Sequence, residues 1–555
     1  MQRQSNAILR SFVLVGLFLS ALNITYGQVR PDTHSATQSP IKVKTTLVMI
    51  PTVVTEKSGK RVEDLREEDF EVLRDGQVQK IGFFKHVLTK AELMKAAATP
   101  PDAATNAVEG VNDRLTIFVV DFLNSSLNEQ KTAYVQLLDF LTKAVDVREP
   151  LCLLAIDANG VELIHDFTTD PAVLVKALKN LKETSSDKDK PQRNPDEELF
   201  RLTQGWHSKS PTRNAAALQA RIKALDLYAK QADISKQERV AITLEALREI
   251  GEAFAGIPGR KSMVWATGGF PFEIDRVSQF GYDDKRLMPA YEAAWRALNH
   301  ANIAVYPLDE GELVNPAYVN AGIGKPTPEH VALDMHIANM QRFAEVTGGK
   351  FCDRGEDAAS CFREAANDSS DYYLIGIYEN SEDSEPGWRK LQVKVHRAEY
   401  QIRSRTGYYV AGPQNDDEKA REDMEVALSS PVNYTAIPIG VRWSVSKVAA
   451  EDAKKRIDFM YVLAPGVTTL DDADKNHISL EFAALARDGK GRPMGTFSKV
   501  VEGHLAEEMA AKIRTEGLKF PGSMELPPGE YTIIFVTRDN LSRLVGSVSS
   551  EITVP

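Results

Sequence analysis

Leu115-Thr-Ile-Phe-Val-Val-Asp121 is the stretch that decides the fold. Its apolar residues fall on both alternating faces, which describes a strand buried on both sides, and strands of that kind belong to parallel sheets covered by helices. A helical stretch follows from Leu127 to Val145. Leu151–Ile156 and Val161–Phe167 are further strand-like runs, and Pro171–Leu181 is a helix. Helical pattern returns across Ala215–Lys230 and Lys236–Ala255 after a charged and polar insertion at 183–214. Ser262–Thr267, Asn302–Pro307 and Tyr372–Tyr378 then bring the strand-like segments to six, with helices at Arg286–His300 and His330–Thr347 between them. This alternation predicts an α/β domain with a mostly parallel sheet. With closing strands near Trp388–His396 and Thr406–Val410, it spans 113–410.

The flanks read differently. Residues 41–88 alternate as strands, and Arg74-Asp75-Gly76 is a hairpin signal, so they predict an N-terminal β-module. Residues 90–112, rich in Ala, Pro and polar side chains, read as a linker. Asp417–Leu428 reads as a bridging helix. Beyond it, short alternating segments separated by turns such as Pro527-Pro-Gly529 predict a C-terminal β-sandwich over 430–555.

The N-terminus has a basic start at Arg3 and Arg10, an apolar centre from Phe12 to Leu22, and small residues Thr25 and Gly27 before Gln28. That is the pattern of a secretory signal peptide at 1–27. The apolar run is short for a bilayer span of roughly 20 residues, and no later stretch is apolar enough to replace it. The expectation is therefore an exported protein, periplasmic, cell-surface or secreted, with no transmembrane segment after cleavage.

The 555 residues are 43% hydrophobic and 26% charged, an ordinary globular composition with room for several cores. Cleavage removes Arg3 and Arg10 and no acid, so the net charge goes from −11 to −13. No basic run interleaved with aromatics offsets this, which excludes nucleic acid as a partner because phosphate neutralisation supplies most of that affinity. Of three cysteines, Cys152 sits inside an apolar run and reads as a core thiol. Cys352 and Cys361 bracket a polar loop, and in an oxidising compartment they can close a short disulfide.

In an open parallel sheet, ligands bind beyond the carboxyl ends of the strands. The loop to examine is Asp121-Phe-Leu-Asn124-Ser125-Ser126. Other motifs lack the residues their chemistry requires. Gly322-Ile-Gly-Lys-Pro-Thr327 has Val319 and Pro326 where a phosphate loop needs glycine and a hydroxyl. His330 and His336 are not at the i, i+4 spacing of a helical zinc pair, and no nucleophile elbow accompanies His165-Asp166.

The loop at Asp121, the strand ending in Ala266-Thr267-Gly268-Gly269 and the helix–strand rhythm resemble the von Willebrand factor A family. More specifically, three blocks resemble the von Willebrand factor A-related proteins abundant in acidobacteria. They are Val53–Asp75-Gly76, Val264–Pro271, and Tyr372–Tyr378 with Arg405–Tyr409. About two-thirds of the chain is covered. The resemblance implies a von Willebrand factor A-like, Rossmann-like sheet flanked by β-sandwich-like modules, and a role in protein binding.

It also implies a metal site built from an Asp-x-Ser-x-Ser loop, a Thr from a second loop and an Asp from a third, suited to Mg²⁺ or Ca²⁺. Asp121 and Ser125 fit the first loop, but Leu123 replaces its middle Ser, and Gly268 stands where the third loop's Asp is expected. Asn124 and Thr267 are the remaining candidate oxygen ligands, and Thr184, Thr203 and Thr212 compete for the second loop. A purely structural alternative has Asp121 accepting backbone N–H groups at the start of the next helix, with Ser125 or Ser126 as caps. The expectation is a non-enzymatic, protein-binding or adhesion-type protein with a degenerate metal site, no cofactor and an unnamed protein partner. A metal-dependent adhesion module and an unrecognised hydrolase using His165 and Asp166 are the alternatives.

Overall fold

The computed structural model describes residues 45–89, 100–107, 114–125, 127–143, 150–188, 238–268, 287–309, 328–353, 358–380, 385–397, 400–410, 416–449 and 454–555. The signal-peptide stretch 1–27, Ala215–Lys230 and most of the insertion lie outside them. So do Ser126, Thr203, Thr212, Gly269 and the loop Gly322–Thr327.

The strand Arg114–Asp121 is the centre of a five-stranded sheet. Its order is Ile303–Asp309, Arg260–Thr267, Arg114–Asp121, Leu151–Asp157, Gly160–Thr168. The first four run parallel, and the last returns as an antiparallel hairpin. Residues of both parities are apolar because both faces are covered. Ile117 and Val119 pack with Leu244 and Leu247 of a helix over 238–253 and with Trp295 and Phe343. Phe118 and Val120 pack with Phe140, Leu178 and Phe362 on the other side.

Tyr372–Tyr378, expected to be the sixth strand of this sheet, lies elsewhere. It belongs to Asp371–Asn380, which runs antiparallel between Thr45–Thr55 and Ile81–Leu88. With Gln401–Ser404 these form one four-stranded sheet, and Gly407–Val410, Gly387–Val395, Phe70–Arg74 and Gln77–Gln79 form a second. The N-terminal module and the closing strands of the expected α/β domain are therefore one shared β-sandwich. Asp371–Asn380 is apolar on both faces for a reason of its own. Tyr373, Ile375 and Ile377 enter the sandwich core, where the Tyr373 hydroxyl accepts from Leu65 N and donates to Val62 O. Tyr372 faces the parallel sheet and accepts from Arg260 N at 3.0 Å. The hairpin at Asp75-Gly76 forms as its sequence predicts, with φ of 51° and 82°, conformations that glycine adopts without strain.

Cys352 instead extends the parallel sheet. It pairs in parallel with Leu308, its N–H donating to Pro307 O at 2.9 Å. A disulfide joins it to Cys361 on the helix Ala358–Ser370, and Cys152 is free and buried.

The C-terminal sandwich stacks Leu518–Leu526, Lys455–Leu463, Ile439–Ala449 and Ala103–Thr105 on Pro493–His504, His477–Asp488, Gly529–Asp539 and Val545–Val554. Ala103–Thr105 comes from the expected linker, so that segment is partly an edge strand. Its composition hides this because the pairing is set by Asn106. The Asn106 amide donates to Tyr434 O and Ile437 O at 2.6 and 2.9 Å and accepts from Ile439 N at 2.7 Å. The helix Asp416–Ser429 bridges the units: Met424 and Ala427 join the core of the parallel sheet, with Val536 and Val545 from the sandwich. Among the described residues, no helix is long and apolar enough to cross a membrane.

A buried charge cluster fastens the N-terminal sandwich to the α/β layer. Asp368, fully buried at the end of Ala358–Ser370, accepts from Arg403 at 2.8 Å, from Arg61, and from the Tyr306 hydroxyl at 2.6 Å. Burial would push this carboxyl up, but Arg403, Arg61 and Arg260 outweigh it and hold it below the usual Asp range. A depressed folded-state value contributes stability that is present above the ordinary Asp value and lost as pH falls through the folded one. Asp368→Asn is therefore expected to lower neutral-pH stability by about 3–5 kcal/mol and to flatten the acid limb of a denaturation-against-pH curve. A second expectation concerns the disulfide. Replacing Cys352 and Cys361 together by Ser costs about 2.5 kcal/mol for so short a loop, read as a lower urea midpoint than that of the oxidised chain.

Candidate functional site

The chain reverses direction across the sheet between Arg114–Asp121 and Arg260–Thr267: Leu151–Asp157 lies on one side of the central strand, and Arg260–Thr267 with Ile303–Asp309 on the other. That switch point is where an α/β sheet opens a crevice at the carboxyl ends of its strands. Asp121 and Thr267 stand there, each one residue past the register pair Val120–Ala266.

Asp121 is fully buried. Its Oδ1 accepts from Asn124 N at 2.9 Å. Its Oδ2 accepts from Asn124 Nδ2 at 2.9 Å, Thr267 Oγ1 at 3.0 Å and Trp265 Nε1 at 3.2 Å. Three donors converge on Oδ2, which is thereby filled, and one reaches Oδ1. Burial raises the carboxyl above the ordinary Asp range, and the bonds from Asn124, Thr267 and Trp265 reduce that rise without cancelling it.

The rest of the loop is tied down with equal economy. Asn124 Nδ2 also donates to Thr243 Oγ1 on the helix over 238–253, at 2.8 Å. Ser125 Oγ accepts from Gly268 N at 2.8 Å, linking the first loop to the third. Phe122 N and Leu123 N both donate to Ile156 O, and Leu123 packs against the core below. Gln130 donates to the carbonyls of Phe122 and Ser125.

The expected ligands Asp121, Asn124, Ser125 and Thr267 are thus brought together, but as partners of one another. Two of the donors to Asp121 Oδ2 are an amide and an indole N–H, whose hydrogens point where a cation would stand. This donor set does not fit a divalent ion held through Asp121 Oδ2. Asn124 Oδ1 is buried with no hydrogen-bond partner among the described residues, and one such oxygen does not make up for the carboxylate. Among the described residues, no group of three or more His, Cys, Asp or Glu side chains is placed to hold a metal. Thr184, a second-loop candidate, falls within the helix Pro171–Lys188. Asp121 accepts the N–H of Asn124, in the loop before the helix Leu127–Lys143, and Ser125 Oγ accepts from Gly268 N.

The side chains of His165 and Asp166 each meet a backbone group. His165 Nδ1 lies 2.6 Å from Asp166 O, and the Asp166 carboxylate accepts from Phe167 N. Trp265 and Thr243 are the participants that sequence reasoning missed. Trp265 reads as one more apolar strand residue, yet a buried indole N–H needs an acceptor, and Trp265 lies two residues before Thr267 on the same face. Asp157 and Asp309 end the two strands that flank the Arg114–Asp121 and Arg260–Thr267 pair, at the same edge. Asp157 is spent on the turn, accepting from Asn159 N at 2.7 Å.

No family model matches the chain, and no curated protein matches it. Among solved structures, it is similar to a putative β-galactosidase from Bacteroides fragilis, at 11% identity and a TM-score of 0.16 over 20% of this chain. The chain spans 16% of the length of that protein. It is also similar to the TFIIH p34 N-terminal domain, at 13% identity and a TM-score of 0.22, over 46% of this chain and 96% of that one. At these scores neither likeness carries an argument about fold or function.

The hydrogen-bond accounting predicts the outcome of two substitutions. Asp121→Ala removes the acceptor of four hydrogen bonds inside the fold and is expected to destabilise the chain by about 3–5 kcal/mol. Thr267→Val keeps the volume and removes one donor to a charged group, for about 1.5–3 kcal/mol. Equilibrium urea unfolding measures both, and the larger loss belongs to Asp121→Ala.

Proposed function

We propose that the chain is an exported, non-enzymatic protein-binding protein whose α/β layer is von Willebrand factor A-like with a degenerate metal site. The observation that carries this reading is the Asp121 carboxylate held by four donors of its own chain at the switch point of the sheet. The position is where such a sheet meets its ligand, and the donors there are internal. Binding at this edge then relies on the shape and polar groups of the strand-end loops, with no cation bridging to an acidic group on the partner. A hydrolase reading loses support from the separate hydrogen bonding of His165 and Asp166.

The test uses the full chain, expressed with its N-terminus intact and carrying a photo-cross-linking residue at Asn159, beside the carboxyl edge, or at Met494 on the C-terminal sandwich. The expected result is an exported product beginning at Gln28, and a discrete adduct from position 159 that survives chelation by EDTA and is absent from position 494. An adduct lost on chelation would instead favour the metal-dependent adhesion module. Retention in the cytoplasm, or equal adducts from both positions, contradicts the proposal.

A further inference from the structure

A cavity of about 490 Å³ opens beside the hairpin that joins Leu151–Asp157 to Gly160–Thr168. Three elements wall it: the hairpin with Asn159 and Val161, the helix over 238–253 with Glu249, and the helix Asp416–Ser429 with Glu425, Val426 and Ser429. Val161 and Val426 are its apolar wall, and both pack with the core of the parallel sheet. Glu425 and Ser429 are one helical turn apart, so they reach the cavity from the same face. The chain leaves the helix along the cavity too, through Ser430 and Pro431.

The charges around this cavity do not balance. Two carboxylates line it, and among the described residues no Lys, Arg or His does. The cations nearby are already engaged. Arg248 is bonded by Glu245 and by Glu252, the latter at 2.7 Å, and lies 3.8 Å from Glu422. Lys419 is held by Glu422 and Asp423 at 3.4 and 2.9 Å. A solvated helix face accounts for Glu425, which is exposed. It does not account for Glu249, which is half-buried and shares its helix face with Glu245 and Glu252. Burial raises the Glu249 carboxyl, Glu245 and Glu252 add to the rise, and Ser430 and Arg248 offset only part of it. From the core side, the Tyr434 hydroxyl is pushed up by burial and then by the charges of Glu252 and Glu249. Tyr434 is 3% exposed, and its hydroxyl has no hydrogen-bond partner among the described residues. The cavity also lies at the carboxyl end of Asp416–Ser429, which has no basic residue in its last turn. The partial negative charge of a helix end adds to that of the carboxylates, so this side of the molecule is rich in acceptors and short of donors.

We propose that this cavity binds a primary ammonium group carried on an aliphatic stem. The stem lies against Val161 and Val426, and the ammonium lies between Glu249 and Glu425. Asn159 gives its amide N–H to Asp157 at 3.3 Å, which leaves its side-chain oxygen, with the Ser429 hydroxyl, as a further acceptor. An ammonium has three donors to place in different directions, whereas a guanidinium pairs flat against one carboxylate. A divalent ion is less well served, since no third acidic, His or Cys side chain among the described residues completes a metal site here. A free alkylamine and a lysine side chain share the ammonium chemistry. The site does not depend on the reading given to Asp121.

Calorimetric titration of the full chain tests the proposal with four probes. N-acetyl-lysine methylamide and n-pentylamine carry the ammonium, N-acetyl-norleucine methylamide is the neutral counterpart of the first, and calcium chloride supplies a divalent ion. Both amines are expected to bind saturably, with the norleucine probe weaker by about tenfold or more. Calcium should neither bind at this site nor displace the amines. Tighter binding of the lysine probe assigns the site to a lysine side chain, and equal or tighter binding of pentylamine assigns it to a free amine. Glu249→Gln and Glu425→Gln should each weaken the amines by about tenfold. Neither should lower the melting temperature, because neither carboxylate holds a cation of the protein. Glu425→Lys, which brings an ammonium of its own to the cavity, should abolish binding. The proposal is overturned if neither amine binds, if the norleucine probe binds as well as the lysine probe, or if both Gln variants leave the amine affinity unchanged. Calcium binding that displaces the amines and is lost in Glu425→Gln would overturn it as well.

Discussion

A buried carboxylate must be matched by donors or by a cation, and at Asp121 the donors come from the chain itself. Four hydrogen bonds from Asn124, Thr267 and Trp265 draw on the first loop and the adjacent strand, and Asn124 carries the network on to Thr243. That one requirement organises the carboxyl edge. Ser125 is held to Gly268, Leu123 turns down into the core, and the backbone of Phe122 and Leu123 is fixed to Ile156.

The same chain economy runs through the joints between units. Asp368 is shared by a helix of the α/β layer and two arginines of the N-terminal sandwich. Asp371–Asn380 serves two interfaces at once, with Tyr373 in one core and Tyr372 facing the other. Asn106 stitches a segment preceding the parallel sheet into a sandwich that begins more than three hundred residues later. Breaking a buried, charged member of such a joint exposes its partners as unpaired groups, which is why the cost exceeds that of a surface ion pair.

What could be read from the sequence follows from what local pattern encodes. Leu115–Val120 announces a strand covered on both faces, Asp75-Gly76 announces a tight turn, and the spacing of Cys352 and Cys361 allows the bond that joins them. Each of these is a statement about neighbours in the chain. Apolar residues on both faces of Tyr372–Tyr378 show only that both faces are covered. The same pattern suits a parallel sheet and a sandwich strand backed by another layer, so the wrong sheet was expected. Ala103–Thr105 is too short and too plain to announce itself, and its pairing depends on Asn106 meeting carbonyls far along the chain. At the site, Asp121, Asn124, Ser125 and Thr267 were identified as a group because their residue types and loop positions point to one chemistry. Their roles were not legible, because the donor that completes the carboxylate, Trp265, carries its polar atom on a side chain that counts as apolar in any pattern.

The indole N–H of Trp265 reports most directly on whether Asp121 is satisfied by protein donors. In a ¹⁵N-resolved spectrum of the full chain, assigned by Trp265→Phe, the account predicts a hydrogen-bonded indole resonance. It should keep its position in millimolar Mg²⁺ and its line width in substoichiometric Mn²⁺. A resonance that shifts with Mg²⁺, or that Mn²⁺ broadens ahead of the other tryptophan signals, would place a cation at Asp121 and contradict it.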